Sequence, residues 1–242
     1  MTWFTSRLCG FDLESTGVNV ETDRIVTGCV VQCGGGHDTQ SATWMADPGV
    51  EIPEEAAKIH GVTTERARAE GRPPAEVVEQ MVAALAECVL AGQPVVAMNA
   101  SFDLTMLDRE ARRHGVQPLV DVVGGDLRVI DPRVLDKQVS RRKGRRTLSD
   151  LCAHYQVALD GAHSADADAI AACRVAWRLG TTVQQLGSMS VDDLHQAQIK
   201  WAEAQGRSLA AYFRRTPGKE SWADGVRTEW PMIPAPRDGG AA

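Results

Sequence analysis

A chain of 242 residues is long enough to bury one substantial core, or a core with an extension. Its composition, 43% hydrophobic and 24% charged, is ordinary for a globular chain, and no run reaches the roughly 18 consecutive apolar residues of a membrane span. The net charge of −6 argues at first against a polyanionic partner, but Lys137, Arg141, Arg142, Lys143, Arg145 and Arg146 crowd into ten positions and form a local basic strip. The six cysteines are scattered with no C-x-x-C pair, so they read as small buried hydrophobes in a reducing compartment. The first residues lack an apolar secretion signal, and a cytoplasmic protein without membrane attachment is expected.

In chain order, residues 7–12 are a short apolar run, predicted as a strand that delivers Asp12 near its end. A second run spans Ile25 to Val31, with Thr39 to Met45 as its expected hairpin partner across Gly34-Gly35-Gly36. The chain turns through Pro48, Gly49 and Pro53, and a short helix from about Glu54 to Ile59 should stop near Gly61. Pro73-Pro74 opens a long amphipathic helix, whose stripe includes Val78, Leu85 and Val89 and which ends at Gly92. Val95 to Met98 is a buried strand leading to Asn99; Ser101 is the expected cap of the next helix, with Leu104, Leu107 and Ala111 facing the core. A strand near 127–130, a helix near 132–139, the basic strip, a helix over 147–155 and a helix over 164–179 follow. Strands first, then helices alternating with strands, give an α/β class with a mixed sheet and helices on its faces.

Residues 181–242 differ in character. They are electrically neutral and hold Trp201, Tyr212, Phe213, Trp222 and Trp230, five of the chain's twelve aromatics. Ser190-Val-Asp-Asp193 resembles a capping box and predicts a helix to about Phe213, while the Pro/Gly-rich end from Pro231 reads as extended and partly disordered. A helical extension over 181–242 is expected, either packed on the body or serving self-association. Gln185-Leu-Gly-Ser-Met189 carries two readings: a sliding-clamp-binding peptide, or a helix end at Gly187 before the Ser190 cap.

The chemistry lies in three short motifs. Asp12 and Glu14, in Phe11-Asp12-Leu13-Glu14-Ser15-Thr16-Gly17, are two apart, so on a strand both project to one face. The Thr16-Gly17 turn can offer backbone N–H groups to a nucleotide. Asp103 follows Asn99-Ala100-Ser101-Phe102 in the first turn of a helix, where an acid also suits the helix dipole. His163 lies five residues before Asp168, at the start of a helix whose alanines allow close packing on the sheet. Converging carboxylates bind hard cations such as Mg²⁺ or Mn²⁺, and a paired-cation site drives in-line displacement at phosphorus.

These motifs, in this order, resemble the DnaQ-like family of 3′→5′ exonucleases in its DEDDh branch, which includes the epsilon-type proofreading exonucleases. The resemblance covers about the first 180 residues, which makes 1–180 the expected exonuclease domain. It implies a ribonuclease-H-like fold with a mixed five-stranded sheet, three strands antiparallel and two parallel. It also implies that Asp12, Glu14, Asp103 and Asp168 hold two Mg²⁺ or Mn²⁺ ions, with His163 as general base. Ile59-His60-Gly61-Val62 matches a family segment that lies beside the terminal nucleotide. Thr16, Gly17, His60, Asn99 and Phe102 are then expected substrate contacts, and Arg141, Arg142 and Lys143 a phosphate guide. The expected substrate is a single-stranded DNA 3′ end, with an exoribonuclease as the alternative and a non-catalytic nucleic-acid-binding module as a third reading. A DNA polymerase or sliding clamp is the expected protein partner.

Overall fold

The computed structural model describes residues 2–159 and 164–235. Five strands form one mixed sheet: β1 (Arg7–Ser15), β2 (Ile25–Gly34), β3 (His37–Met45), β4 (Val95–Val96) and β5 (Val129–Ile130), in the order β3-β2-β1-β4-β5. β1 pairs antiparallel with β2, and β2 with β3; β4 pairs parallel with both β1 and β5. This is the expected ribonuclease-H-like arrangement. The helices are α1 (Glu54–His60), α2 (Thr64–Glu70), α3 (Pro74–Leu90), α4 (Ala100–Arg113), α5 (Leu119–Val122), α6 (Pro132–Val139), α7 (Leu148–Tyr155), α8 (Ala165–Thr182), α9 (Gln184–Gly187) and α10 (Val191–Arg214). Among the described residues no helix is long and apolar enough to cross a membrane.

The pleat of β1 divides the core. Phe11 and Leu13 project into one layer with Val78, Met81 and Leu85 of α3 and Leu104 and Leu107 of α4. On the other face Cys29 and Val31 of β2 meet Ala165 and Ala169 of α8, and Val175, Ala176 and Leu179 of α8 pack on Leu8, Val96 and Ile130. Burial of each large side chain contributes on the order of 1.5–3 kcal/mol, which is what fixes the strand register.

The strands around the site differ in length from their sequence patterns. β1 continues three residues past the apolar run, through Glu14, because the polar end stays paired with β2. β4 and β5 keep only two residues each. α2 is absent from the sequence expectation: its Arg/Glu-rich span buries only Thr64 and Ala67, so it presents no apolar stripe to read.

The extension is bound to the body rather than hanging from it. Leu186 and Leu194 are fully buried in the core formed with α8, and Trp230 lies in the core formed with α3 and α4. Ser190 caps α10 as expected, accepting from the Asp193 amide. Burial of Leu186 disfavours the clamp-peptide reading of 185–189, since the motif's apolar residue faces inward.

Candidate active site

Asp12 and Glu14 sit opposite Cys29 and Thr27 on β2, on the sheet face that α8 covers. α8 reaches that face because β1 carries Gly10 where the two cross. A Cβ there would lie 2.9 Å from the Ala169 carbonyl oxygen and 2.9 Å from the Cys173 sulfur. With the buried Ala165, Ala169 and Ala172, this close approach brings Asp168 over β1. Carboxylate oxygens of Asp12, Glu14 and Asp168 all lie within 4.8 Å of one another.

Asp103 stands behind this trio. It is buried in the first turn of α4, and its Oδ1 accepts from the Leu13 N–H at 3.2 Å. The structure thus brings three of the four expected ligands into one cluster, while Asp103 backs the strand that carries two of them. Its charge is still felt there: after burial, Asp103 is the strongest influence raising the Asp12 pKa, ahead of Asp168 and Glu14. Burial and the Asp168 charge push Glu14 up to about 7. Burial likewise raises Asp103, against the pull of the backbone N–H groups it accepts.

Neither Asp12 nor Glu14 forms an ion pair with Lys or Arg among the described residues. Half-buried carboxylates that repel one another and lack cationic partners are short of positive charge. An all-oxygen donor set of this kind fits a hard divalent cation.

α4 starts differently from its sequence pattern. Asn99, not Ser101, is its N-cap residue, in the left-handed conformation at φ 65° and ψ 45°. The cap is supplied from outside by Asp131, which accepts from the Asn99 and Ala100 amides at 3.1 and 3.0 Å. The same carboxylate caps α6 through the Arg133 and Val134 amides and receives the Trp230 Nε1–H at 3.4 Å. Gln198 of α10 accepts from the Asp131 amide and donates to the Val129 carbonyl. Asp131 therefore sets the start of the Asp103 helix, a role sequence reading missed. Its one local signal is the Asp131-Pro132 pair, a cap followed by proline at the first helical position.

The expected substrate contacts divide. His60 closes α1 close against the Ser15 backbone, and its Nδ1 accepts from the Val62 amide. It lines a cleft of about 480 Å³ with Gly28, Trp44 and Asp166. Burial holds its pKa below the usual histidine value. Thr16 corrects the expectation of a free turn: its amide donates to the Arg24 carbonyl and its buried hydroxyl accepts from the Arg24 amide. Gly17 is packed on Asp23, whose carboxylate a Cβ would strike at 2.4 Å. Asn99 accepts from the Arg133 guanidinium at 2.5 Å, and Phe102 is half-buried against the α3–α4 core.

The basic strip divides too. Arg142 and Arg146 turn inward to the fully buried Asp136 of α6, at 3.2 and 2.6 Å, and Tyr155 donates its hydroxyl to the same carboxylate. Arg141 and Lys143 stay exposed. His163 lies outside the described residues.

A mixed sheet of this order, with acids converging from β1 and α8, defines a ribonuclease-H-like nuclease domain. The family model described as Exonuclease (RNase_T) matches residues 9–176, and the chain belongs to that family, the DnaQ-like DEDDh 3′→5′ exonucleases. Its family is divalent-metal dependent.

Curated relatives include the DNA polymerase III PolC-type proteins of Lacticaseibacillus paracasei, 28% identical over 159 residues, and of Halalkalibacterium halodurans, 26% over 170. Those alignments cover 66% and 70% of this chain but only 10% and 11% of the relatives, so the chain spans about a tenth of their length. Among solved structures, E. coli exonuclease I in complex with a dT13 oligonucleotide is similar at a TM-score of 0.61 and 18% identity. It covers 75% of this chain and 42% of its own. Exonuclease I of Methylocaldum szegediense gives 0.61 and 20% identity, covering 74% and 41%. These likenesses show the fold.

Proposed function

We propose that this chain removes nucleotides from the 3′ end of single-stranded DNA, releasing nucleoside 5′-monophosphates. The observation that carries the reading is the convergence of Asp12, Glu14 and Asp168 within 4.8 Å, backed by Asp103, all within residues 9–176 that the exonuclease family model matches. Asp12, Glu14 and Asp168 would hold the cations, two Mg²⁺ or Mn²⁺ ions in this reading, and Asp103 completes the negative field. When bound, such ions acidify a water and neutralise charge at the phosphate. His163 takes the proton of the attacking water as general base, and so acts in its neutral form. Asp103 keeps β1 in place through the Leu13 amide, so that Asp12 and Glu14 hold their shared face. His60, which lines the cleft beside Ser15, contacts the terminal nucleotide.

DNA rather than RNA is favoured because the matched relatives are named as DNA polymerases and a similar structure was solved with a dT13 oligonucleotide. A polymerase partner follows from the same names. The test is degradation of matched, 5′-labelled DNA and RNA oligomers with Mg²⁺ or Mn²⁺. The reading expects a one-nucleotide ladder from the 3′ end of DNA, abolished by chelation and nearly so by His163→Ala. Faster loss of the RNA oligomer would transfer the assignment to an exoribonuclease.

A further inference from the structure

A second chemistry sits beside the acid cluster. A groove of about 500 Å³ opens at Met98 and Asn99 and runs between α6, residues 144–148 and α10. Arg133, Lys137, Arg145 and Arg146 line it, and no Asp or Glu does. Arg146 is already held by Asp136, and Arg145 is largely exposed with a distant Asp150 at 3.9 Å. Arg133 and Lys137 differ: among the described residues neither forms an ion pair. They stand four apart on α6, a spacing at which like charges destabilise a helix. Burial of Lys137, and repulsion from Arg133 and Arg146, hold its ammonium below the usual lysine range. Asp131 and Glu229 line the adjoining pocket, and Asp131 feels the Arg133 charge. Among the described residues, however, no carboxylate pairs directly with Arg133 or Lys137, which leaves this cationic face to a polyanion.

The groove's position fits a strand that ends at the acids. β4 pairs Val95 with Cys9 and Val96 with Gly10, and β5 pairs Val129 with Val95 and Ile130 with Val96. Met98, two residues past β4, and Arg133, three past β5, therefore leave the same end of the parallel strands as Asp12 does on β1. β1 and β5 are two strand spacings apart, roughly 10 Å, close to the reach of one to two nucleotides. The extension supplies the far wall: Leu209 lines this groove, and Gly206, Arg227 and Glu229 line its continuation past Arg133, where Asp131 also stands. Gln205 fixes α10 to α6 by donating to the Val134 carbonyl at 3.1 Å.

We propose that this groove is the path of the polynucleotide upstream of the scissile bond, with Arg133 and Lys137 binding its backbone phosphates and the C-terminal extension closing its outer side. The inference deepens the exonuclease reading and rests on it for the position of the 3′ end. Of the expected phosphate guide, Arg142 is paired with Asp136, while the exposed Arg141 and Lys143 are left outside this groove.

Two measurements on the full chain separate the groove from the chemistry. Binding of fluorescein-labelled dT12 in EDTA is followed against salt for wild type, Arg133→Ala/Lys137→Ala and Arg214→Ala/Arg215→Ala. The last pair is exposed at the end of α10 and lines no part of the groove. Loss of two single-strand phosphate contacts should lower the slope of log K against log salt by about 1.4 and weaken binding roughly tenfold at moderate salt. The Arg214/Arg215 variant should change neither. Arg133→Lys/Lys137→Arg, which keeps the charge, should bind as wild type and so controls for folding. Equal slopes in wild type and the Arg133/Lys137 variant, or equal losses in both alanine pairs, would overturn the groove whatever the turnover. Hydrolysis of the p-nitrophenyl ester of thymidine 5′-monophosphate, one nucleotide long, reads the acid cluster alone. Its rate should be unchanged in Arg214→Ala/Arg215→Ala, and its absence in wild type would count against the exonuclease reading instead.

Discussion

Two groups of inward-facing acids in this molecule are treated in opposite ways. Asp136 is fully buried and has its charge met by Arg142, Arg146 and the Tyr155 hydroxyl. Asp12 and Glu14 are only half-buried, yet their main neighbours are other carboxylates, and burial and repulsion push both up. Exposure differs too, but it does not by itself tell which site serves chemistry. The balance of charge does: an acid that serves the fold is saturated by its own chain, while one that serves chemistry is left short of a cation. Asp131, buried and held mainly by backbone donors with the Arg133 charge nearby, belongs with the first kind.

The largest effects should separate these groups outright. Asp12→Ala should abolish both turnover and divalent-cation binding, as read by calorimetry, while thermal stability in EDTA stays equal or rises because one repelling charge is gone. A large fall in Tm would put Asp12 in the structural class. His163→Ala should cost about 10²–10⁴-fold in turnover and leave cation binding intact. Wild-type turnover in that variant would remove His163 as the base.

Asp136→Ala should do the reverse, costing on the order of 3–5 kcal/mol in denaturant unfolding by stranding two arginines. Its activity should persist wherever the protein remains folded. Gly10→Ala tests how the site is assembled: overpacking of α8 against β1 should cost about 1–3 kcal/mol. Turnover should fall with it, as Asp168 moves away from Asp12.

Smaller is the effect of pH on the metal-free chain. Glu14 has its pKa raised from 4.5 to about 7, so the folded chain binds a proton that the unfolded chain has released. Stability in EDTA should therefore fall as pH rises from about 4.5 through 7. Mg²⁺ or Mn²⁺ should raise Tm more at pH 8 than at pH 5; an equal or larger rise at pH 5 would contradict the shortage of positive charge. Tyr155→Phe should lose only about 1 kcal/mol, the net worth of one hydrogen bond to Asp136.

The parts of the site legible in the sequence were those governed by local periodicity. A two-residue spacing puts Asp12 and Glu14 on one face of any strand, and the alanines around Asp168 announce a helix able to lie close to a sheet. The rest depended on partners distant along the chain. Asn99 in a left-handed conformation follows from Asp131, thirty-two positions away in sequence, taking its amide. Arg142 and Arg146 looked like a free strip because the carboxylate that claims them lies on the preceding helix. The short strands β4 and β5 give too few residues for alternation to register, and α2 has no apolar face. The extension's aromatic content was plain, but its attachment was not: Trp230 docks through a bond to Asp131 that no spacing rule encodes.

That attachment has a practical consequence for anyone trimming the molecule to a minimal nuclease. Beyond Trp230, the Ile233 amide reaches the Thr105 hydroxyl and the Pro234 carbonyl receives Arg109, both side chains on the helix that carries Asp103. Cutting after residue 180 would remove a brace from the catalytic scaffold along with the appendage.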